Sequence, residues 1–337
     1  MDAAAAQARV DRPRFDILGI GNAIVDVVAP VGEAFISRHA MRKGSMTLID
    51  AATAEHIYAA MPPGQESSGG SVANTCAVAA GLGARVAYLG RVADDQLGAV
   101  FRHDIAAAGV HFPTAPLVGG APTARCLILV TPDGQRTMNT YLGACVAFGE
   151  EQVDAEVVAT SAVVYLEGYL FDEPAAQAAF RRAAALAHAA GRQVALTLSD
   201  SFCVDRHRDA FRALVRGHID ILFANEAELC SLYEQNALED AVAAVRAEVG
   251  LAAITRSEQG SFVVRGEETA EIPAAPARLV DTTGAGDAYA AGFLAAFSSG
   301  RTLAVCGRLG SLAAAEVIGH YGARLHRDLK PEAAALA

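Results

Sequence analysis

Short apolar runs bounded by turn residues alternate along this chain with longer stretches in which apolar positions recur every three or four residues. The first run, 15–20, stops at Gly21-Asn22. Helical periods follow at 51–61, 71–82 and 95–108, with a buried strand at 85–90. The second half repeats the theme. Strands at 162–166, 193–198, 219–223 and 252–255 alternate with helices at 173–190, 205–215, 226–233 and 238–249. Strands followed by helices predict an α/β fold, a three-layer, doubly wound, mostly parallel sheet with helices on both faces.

Two regions break the rhythm. Segments 24–29 and 45–49 are strand-like with no helix between them, and 110–117, 125–131 and 137–142 are three further strand candidates. Pro132-Asp133-Gly134 supplies a turn between the last two. Joining the parallel sheet would require long crossovers, so these pieces are assigned to a small inserted β lid, 24–50 and 110–142. The main α/β domain then comprises 15–23, 51–109 and 143–330, and 1–14 form a flexible tail. A lid beside an open sheet serves to exclude water from a reaction.

Composition narrows the function classes. Of 337 residues, 53 % are apolar and 19 % charged, which provides a large core and excludes general disorder. A net charge of −11 argues against a nucleic-acid or anionic-membrane partner. No apolar run reaches the roughly 18–20 residues needed to span a bilayer. No basic stretch leads into an apolar one near residue 1, so secretion is not expected. The six cysteines lack metal or redox spacing and are read as reduced, mostly buried thiols of a cytoplasmic protein.

The chemistry concentrates in Asp281-Thr282-Thr283-Gly284-Ala285-Gly286-Asp287, where a strand ending at Val280 is expected to turn into an apolar helix over 288–297. The first turn of a helix has free N–H groups and the positive end of its dipole. Glycines let an anion approach them closely. A carboxylate in the same turn opposes simple phosphate binding. It suits phosphoryl transfer, with Asp287 taking a proton from an attacking hydroxyl while the N–H groups of Gly284, Ala285, Gly286 and Asp287 hold the phosphoryl charge. The dipole is expected to keep Asp287 ionised. The bland alternative is that Asp287 caps the helix and the glycines turn the chain.

The run DTTGAGDAYAAGFL resembles the C-terminal signature of the ribokinase/PfkB family of carbohydrate and nucleoside kinases. Gly69-Gly70-Ser71-Val72-Ala73-Asn74-Thr75, Gly81-Leu82-Gly83-Ala84 and 89–98 (LGRVADDQLG) resemble its N-terminal signature, and Asn225-Glu226-Ala227-Glu228 its NxxE element. The resemblance runs from about Phe15 to about Gly322. It implies a ribokinase-like fold, ATP as co-substrate and Mg²⁺ as cofactor. Asp26, Gly69, Gly70 and Asn74 are implied to hold sugar hydroxyls. Asn225 and Glu228 are implied to arrange phosphates and Mg²⁺, largely through water; an ordinary helix-start pair is the alternative. Thr255, Ser257, Gly260 and Thr283 are implied at the nucleotide, and a K⁺ site near Asp281 and Thr283 is a further implication.

Residues 19–26 (GIGNAIVD) and 136–144 (RTMNTYLGA) resemble the bacterial adenosine-kinase-like branch. Arg136 is expected either to close on phosphoryl groups or to sit solvated in a hairpin. Tyr141, Tyr169 and Phe171 are candidates for a wall against a base, or else for packing. The resulting expectation is an ATP-dependent kinase of the adenosine 5′-hydroxyl, with a guanosine/inosine or sugar kinase as the alternative. A non-catalytic nucleoside sensor is a third reading, from another class. A dinucleotide-binding oxidoreductase, suggested by Gly19-Ile20-Gly21, is set aside because position 24 is Ile. The partners are small molecules, and monomer and homodimer both stay open.

Overall fold

Strand β1 (Phe15–Ile20) buries every residue except Asp16, as expected of a strand covered on both faces. The computed structural model to which it belongs describes residues 13–336, so most of the expected tail lies outside the described residues. In chain order the other strands are β2 (Ile24–Pro30), β3 (Met46–Leu48), β4 (Gln65–Gly69), β5 (Val86–Leu89), β6 (Val110–His111), β7 (Ala124–Val130), β8 (Arg136–Tyr141), β9 (Ser161–Glu167), β10 (Gln193–Thr197), β11 (Ile221–Asn225), β12 (Leu251–Thr255), β13 (Ser261–Arg265) and β14 (Glu268–Ile272). The helices are α1 (Glu33–Arg38), α2 (Ala51–Ala60), α3 (Ser71–Gly81), α4 (Gln96–Ala107), α5 (Ala155–Ala159), α6 (Pro174–Ala189), α7 (Ser201–His218), α8 (Glu226–Tyr233), α9 (Leu238–Arg246), α10 (Ala285–Ser298), α11 (Leu303–Val317) and α12 (Lys330–Ala335).

The large sheet runs β14-β13-β12-β11-β10-β9-β1-β5-β6, parallel except for the β12-β13-β14 meander. Side chains alternate between its faces. Val163 and Tyr165 of β9 enter the core shared with α3 and α10, while Val164 and Leu166 enter the one shared with α6 and α7. The chain leaves β1 towards β5 on one side and later fills β9 to β14 on the other. β1 and β9 therefore meet at a topological switch point, where open α/β sheets bind ligands beyond their carboxyl ends.

The small sheet runs β3-β8-β7-β2-β4. Val25, Val27 and Ala29 of β2 are buried, as are Ile36 of α1 and Ile57 of α2. Asp26 occupies the opposite row, level with Ser67 and Cys126, and Cys126 in turn faces Thr140.

Several expectations need correction. Val110–His111 pairs with Val86 and Ala87 on the edge of the large sheet, so the 110–117 segment is not a lid strand. Gln65–Gly69 was expected to belong to the main domain, yet it pairs with β2 in the small sheet. A short helix, α1, separates 24–30 from 46–48. Val280 does not end a strand. Residues 273–284 form an irregular run in which Leu279 is 65 % exposed, and its apolar residues lack a neighbouring strand.

Helices α10 and α11 touch through their backbones. A Cβ on Gly292 would lie 2.5 Å from the Leu309 carbonyl oxygen. Gly292→Ala must force them apart, and we predict a loss of about 1–3 kcal/mol in urea unfolding. An unchanged midpoint would contradict this packing.

Candidate active site

At the switch point, Gly21 and Asn22 follow β1 and Glu167 ends β9. A Cβ on Gly21 would lie 2.2 Å from Glu167 Oε2. The Asn22 amide donates to Glu167 Oε1 at 2.9 Å, and the Val72 N–H at the start of α3 donates to Oε2 at 2.9 Å. Burial lifts the Glu167 carboxyl to about 7, against the pull of these donors. Asn22 Oδ1 is buried with no partner among the described residues.

Gly69-Gly70 links the small sheet to α3. A Cβ on Gly69 would lie 2.4 Å from Asp26 Cγ, so only glycine leaves room for that carboxylate. Gly70 has φ +98°, and a Cβ there would lie 2.1 Å from the Asn22 carbonyl oxygen. Burial raises Asp26 to about 6, while Arg324 and then Arg136 act in the opposite direction.

Asp287 lies in the first turn of α10. Its Oδ1 accepts the Ser71 hydroxyl at 2.6 Å, and its Oδ2 lies 3.5 Å from the Asn74 amide nitrogen. Burial raises this carboxyl to about 6, against the Ser71 and Asn74 donors and the Arg324 charge. Gly284, at φ +76°, caps the helix, and a Cβ on it would strike Ala323 at 2.5 Å. The N–H groups of Gly284, Gly286 and Asp287 have no acceptor among the described residues, and Gly286 is open to solvent. That of Ala285 donates to the Thr282 carbonyl at 3.2 Å, which removes it from the expected anion hole.

Arg136 is not a solvated hairpin charge. Its Nη1 lies 2.8 Å from Asp281 Oδ2 and 3.3 Å from the Thr283 hydroxyl, and both charged side chains are under a tenth exposed. Asp281 Oδ1 accepts the Thr283 N–H and hydroxyl, and Oδ2 also accepts the Gly322 N–H. The Asp281 carboxylate is thus engaged by Arg136, Thr283 and Gly322.

A cavity of about 620 Å³ opens beyond the ends of β11 and β12, lined among others by Asn225, Ala227, Thr255, Ser257 and Gln259. Gly260, at φ +84°, closes its loop where a Cβ would strike the Ile272 carbonyl oxygen at 1.9 Å. Asn225 and Glu228 form a capping box. Asn225 Oδ1 accepts the Glu228 N–H at 2.8 Å, and both Glu228 oxygens accept from Asn225. Burial raises Glu228 to about 7. Among the described residues no three His, Cys, Asp or Glu side chains are grouped to hold a metal. With both oxygens already accepting from Asn225, Glu228 fits an outer-shell, water-mediated partner of Mg²⁺.

Residues 44–328 match the model of the pfkB family of carbohydrate kinases. The chain belongs to that family. A solved adenosine kinase from Sinorhizobium meliloti is 52 % identical, covering 96 % of this chain and 100 % of its own, with a TM-score of 0.88. A "probable sugar kinase" structure from Rhizobium etli CFN 42 is 48 % identical over the same shares, with a TM-score of 0.89. An ATP-dependent ribose-1-phosphate kinase from Halopiger xanaduensis is 33 % identical over 240 residues, 68 % of this chain and 73 % of its own. The protein is a nucleoside or sugar kinase of the pfkB family with ATP as its co-substrate.

Within this pfkB kinase the structure brings Asp26, Gly69, Gly70, Asn74 and Asp287 together. It removes Phe171, which is 1 % exposed and packs 4.5 Å from Phe211 and 5.8 Å from Phe180 between ring centres. Phe171 is core, not a wall for a base. Tyr141 stands in the row of Val25 and Arg125, out of step with Asp26. Tyr169 remains 38 % exposed. Its phenol is pushed up by burial and by Asp200, Asp287 and Glu228. Sequence reasoning missed Asn22, Glu167 and Arg324. A lone carboxylate ending the apolar run SAVVYLE was a usable signal for Glu167; nothing local marks Arg324.

Because the Arg136–Asp281 pair is well shielded, Arg136→Met should cost about 3–5 kcal/mol by stranding the acid. The double variant with Asp281→Asn should recover more than about 1 kcal/mol of that loss in a denaturation cycle. Simple additivity of the two single changes would show that the pair is not coupled.

Proposed function

We propose that this kinase transfers the γ-phosphoryl of ATP to the 5′-hydroxyl of a nucleoside, with adenosine as the acceptor. The observation that carries the reading is the pairing of Asp287 with three N–H groups, at the start of α10, that have no partner among the described residues. Asp26, beside Gly69, supplies acceptors for the ribose hydroxyls. Extensive identity to the S. meliloti adenosine kinase supports adenosine.

ATP occupies the cavity beside Asn225 and Thr255, with its phosphates directed to the start of α10. The 5′-hydroxyl gives its proton to Asp287 Oδ2, since Oδ1 is held by Ser71. Its oxygen bonds to the γ-phosphorus as the bond to the β-bridging oxygen breaks and ADP leaves. The N–H groups of Gly284, Gly286 and Asp287 face the charge on the transferring group. Magnesium, carried with ATP, would neutralise phosphate charge, with Glu228 as an outer-shell partner. A pKa near 6 leaves Asp287 ionised at neutral pH and still basic enough to take a proton.

A sugar acceptor is the second reading. The burial of Phe171 favours it by removing one expected aromatic wall. Turnover with ATP against adenosine, guanosine, inosine, ribose and fructose 6-phosphate separates the two, and a preference for a free sugar would overturn the nucleoside assignment.

Asp287→Ala should lower kcat by about 10²–10⁴-fold and leave adenosine affinity nearly unchanged. Asp26→Ala should instead weaken adenosine binding by about 1–3 kcal/mol in calorimetry. In the unaltered enzyme kcat/KM should fall as pH drops through 6, because protonation removes both the base and the hydroxyl acceptor. A profile flat down to pH 5 would contradict both roles.

A further inference from the structure

Arg324 lies on the segment after α11, and its guanidinium bonds to two parts of the fold at once. Nη1 donates to the Ala73 carbonyl at 3.2 Å, in the first turn of α3. Nη2 donates to the Ser68 hydroxyl at 2.8 Å and to the Ser68 carbonyl. Ser68 belongs to the small sheet and Ala73 to a helix of the main body, and the Gly69-Gly70 link lies between them. Ser68 is itself fixed, since its N–H donates to Asp104 Oδ2 at 2.8 Å and its hydroxyl donates to the same oxygen. Among the described residues no carboxylate forms an ion pair with Arg324, and its bonds all go to neutral oxygens. Its charge is left to act at longer range.

We propose that Arg324 is a positioning residue for phosphoryl transfer: it staples β4 to α3 across Gly69-Gly70 and supplies the positive charge that lets Asp26 and Asp287 stay ionised in one cleft. The claim rests on the reading of Asp287 as the base. Two carboxylates within reach of one substrate repel each other, and each discourages ionisation of the other. Asp26 is met by Arg136 from β8, Cys126 from β7, Asp287 and Arg324. Asp287 is met by Ser71 and Asn74 from α3, Asp26 from β2, Tyr165 and Glu167 from β9, Tyr169 just after β9, and Arg324. Arg324 acts against the burial of both acids, and Asp104, Asp26 and Asp287 all act on Arg324 in return.

The test is the pH profile of kcat/KM with ATP and adenosine for R324Q, R324K and Asp287→Asn. In R324Q the acidic limb should move up by about 0.5–1 pH unit, so activity falls about 3–10-fold more at pH 6 than at pH 8. R324K keeps the charge and should keep the limb in place while lowering kcat through lost bonds to Ser68. If R324Q does not fold, R324A with guanidinium added to the buffer repeats the test: the limb should sit high without guanidinium and move back down with it. A loss by the same factor at every pH in R324Q, or an R324A limb that added guanidinium leaves unmoved, overturns the proposal. An inactive Asp287→Asn enzyme beside an unmoved R324Q limb defeats the Arg324 claim alone. Wild-type turnover in Asp287→Asn defeats the base reading and this claim with it.

Discussion

Three carboxylates converge where β1 and β9 part, and each pays for its burial in basicity: Asp26 and Asp287 rise to about 6 and Glu167 to about 7. Like charges held close in a poorly solvated cleft repel strongly, and protonation is their easiest escape. A protonated Asp287 could not accept a hydroxyl proton. The surroundings therefore supply donors and cations. Ser71 and Asn74 bond to Asp287, Val72 and Asn22 bond to Glu167, and Arg136 and Arg324 bring positive charge from the small sheet and from the chain's C-terminal segment.

The same groups join the two sheets. Gly69-Gly70 is one covalent link between them, and both residues are glycine because Asp26 and the Asn22 carbonyl occupy the space a side chain would need. Arg324 bridges this link. Arg136 reaches from β8 to Asp281, whose carboxylate also orders the Thr283 turn leading into α10. A movement of the small sheet would therefore change the charge around Asp26 and the turn before Asp287 together.

The sequence was most legible where structure and chemistry are local. Glycine and acid in a single helix turn marked Asp287, and fully apolar runs marked β1, β9 and β12. It was least legible where a distant partner decides. The polar segment QESSG becomes a strand only because β2 supplies the other half of the ladder. Leu279 and Val280 look strand-like, yet no neighbouring strand receives them. Phe171 looked available to a ligand until Phe180 and Phe211 closed over it. Arg324 lies outside every recognised motif, and its role depends on Ser68 and Ala73, some 250 residues earlier in the chain. At Glu228 the sequence left two readings open, since a capping box and a metal-organising carboxylate share one spacing.

The most direct measurement is a structure with adenosine and a non-hydrolysable ATP analogue bound together. The account predicts the 5′-hydroxyl within hydrogen-bond reach of Asp287 Oδ2 and the terminal phosphate on the N–H groups of Gly284 and Gly286. A terminal phosphate bound elsewhere, or a 5′-hydroxyl beyond the reach of Asp287, would contradict it.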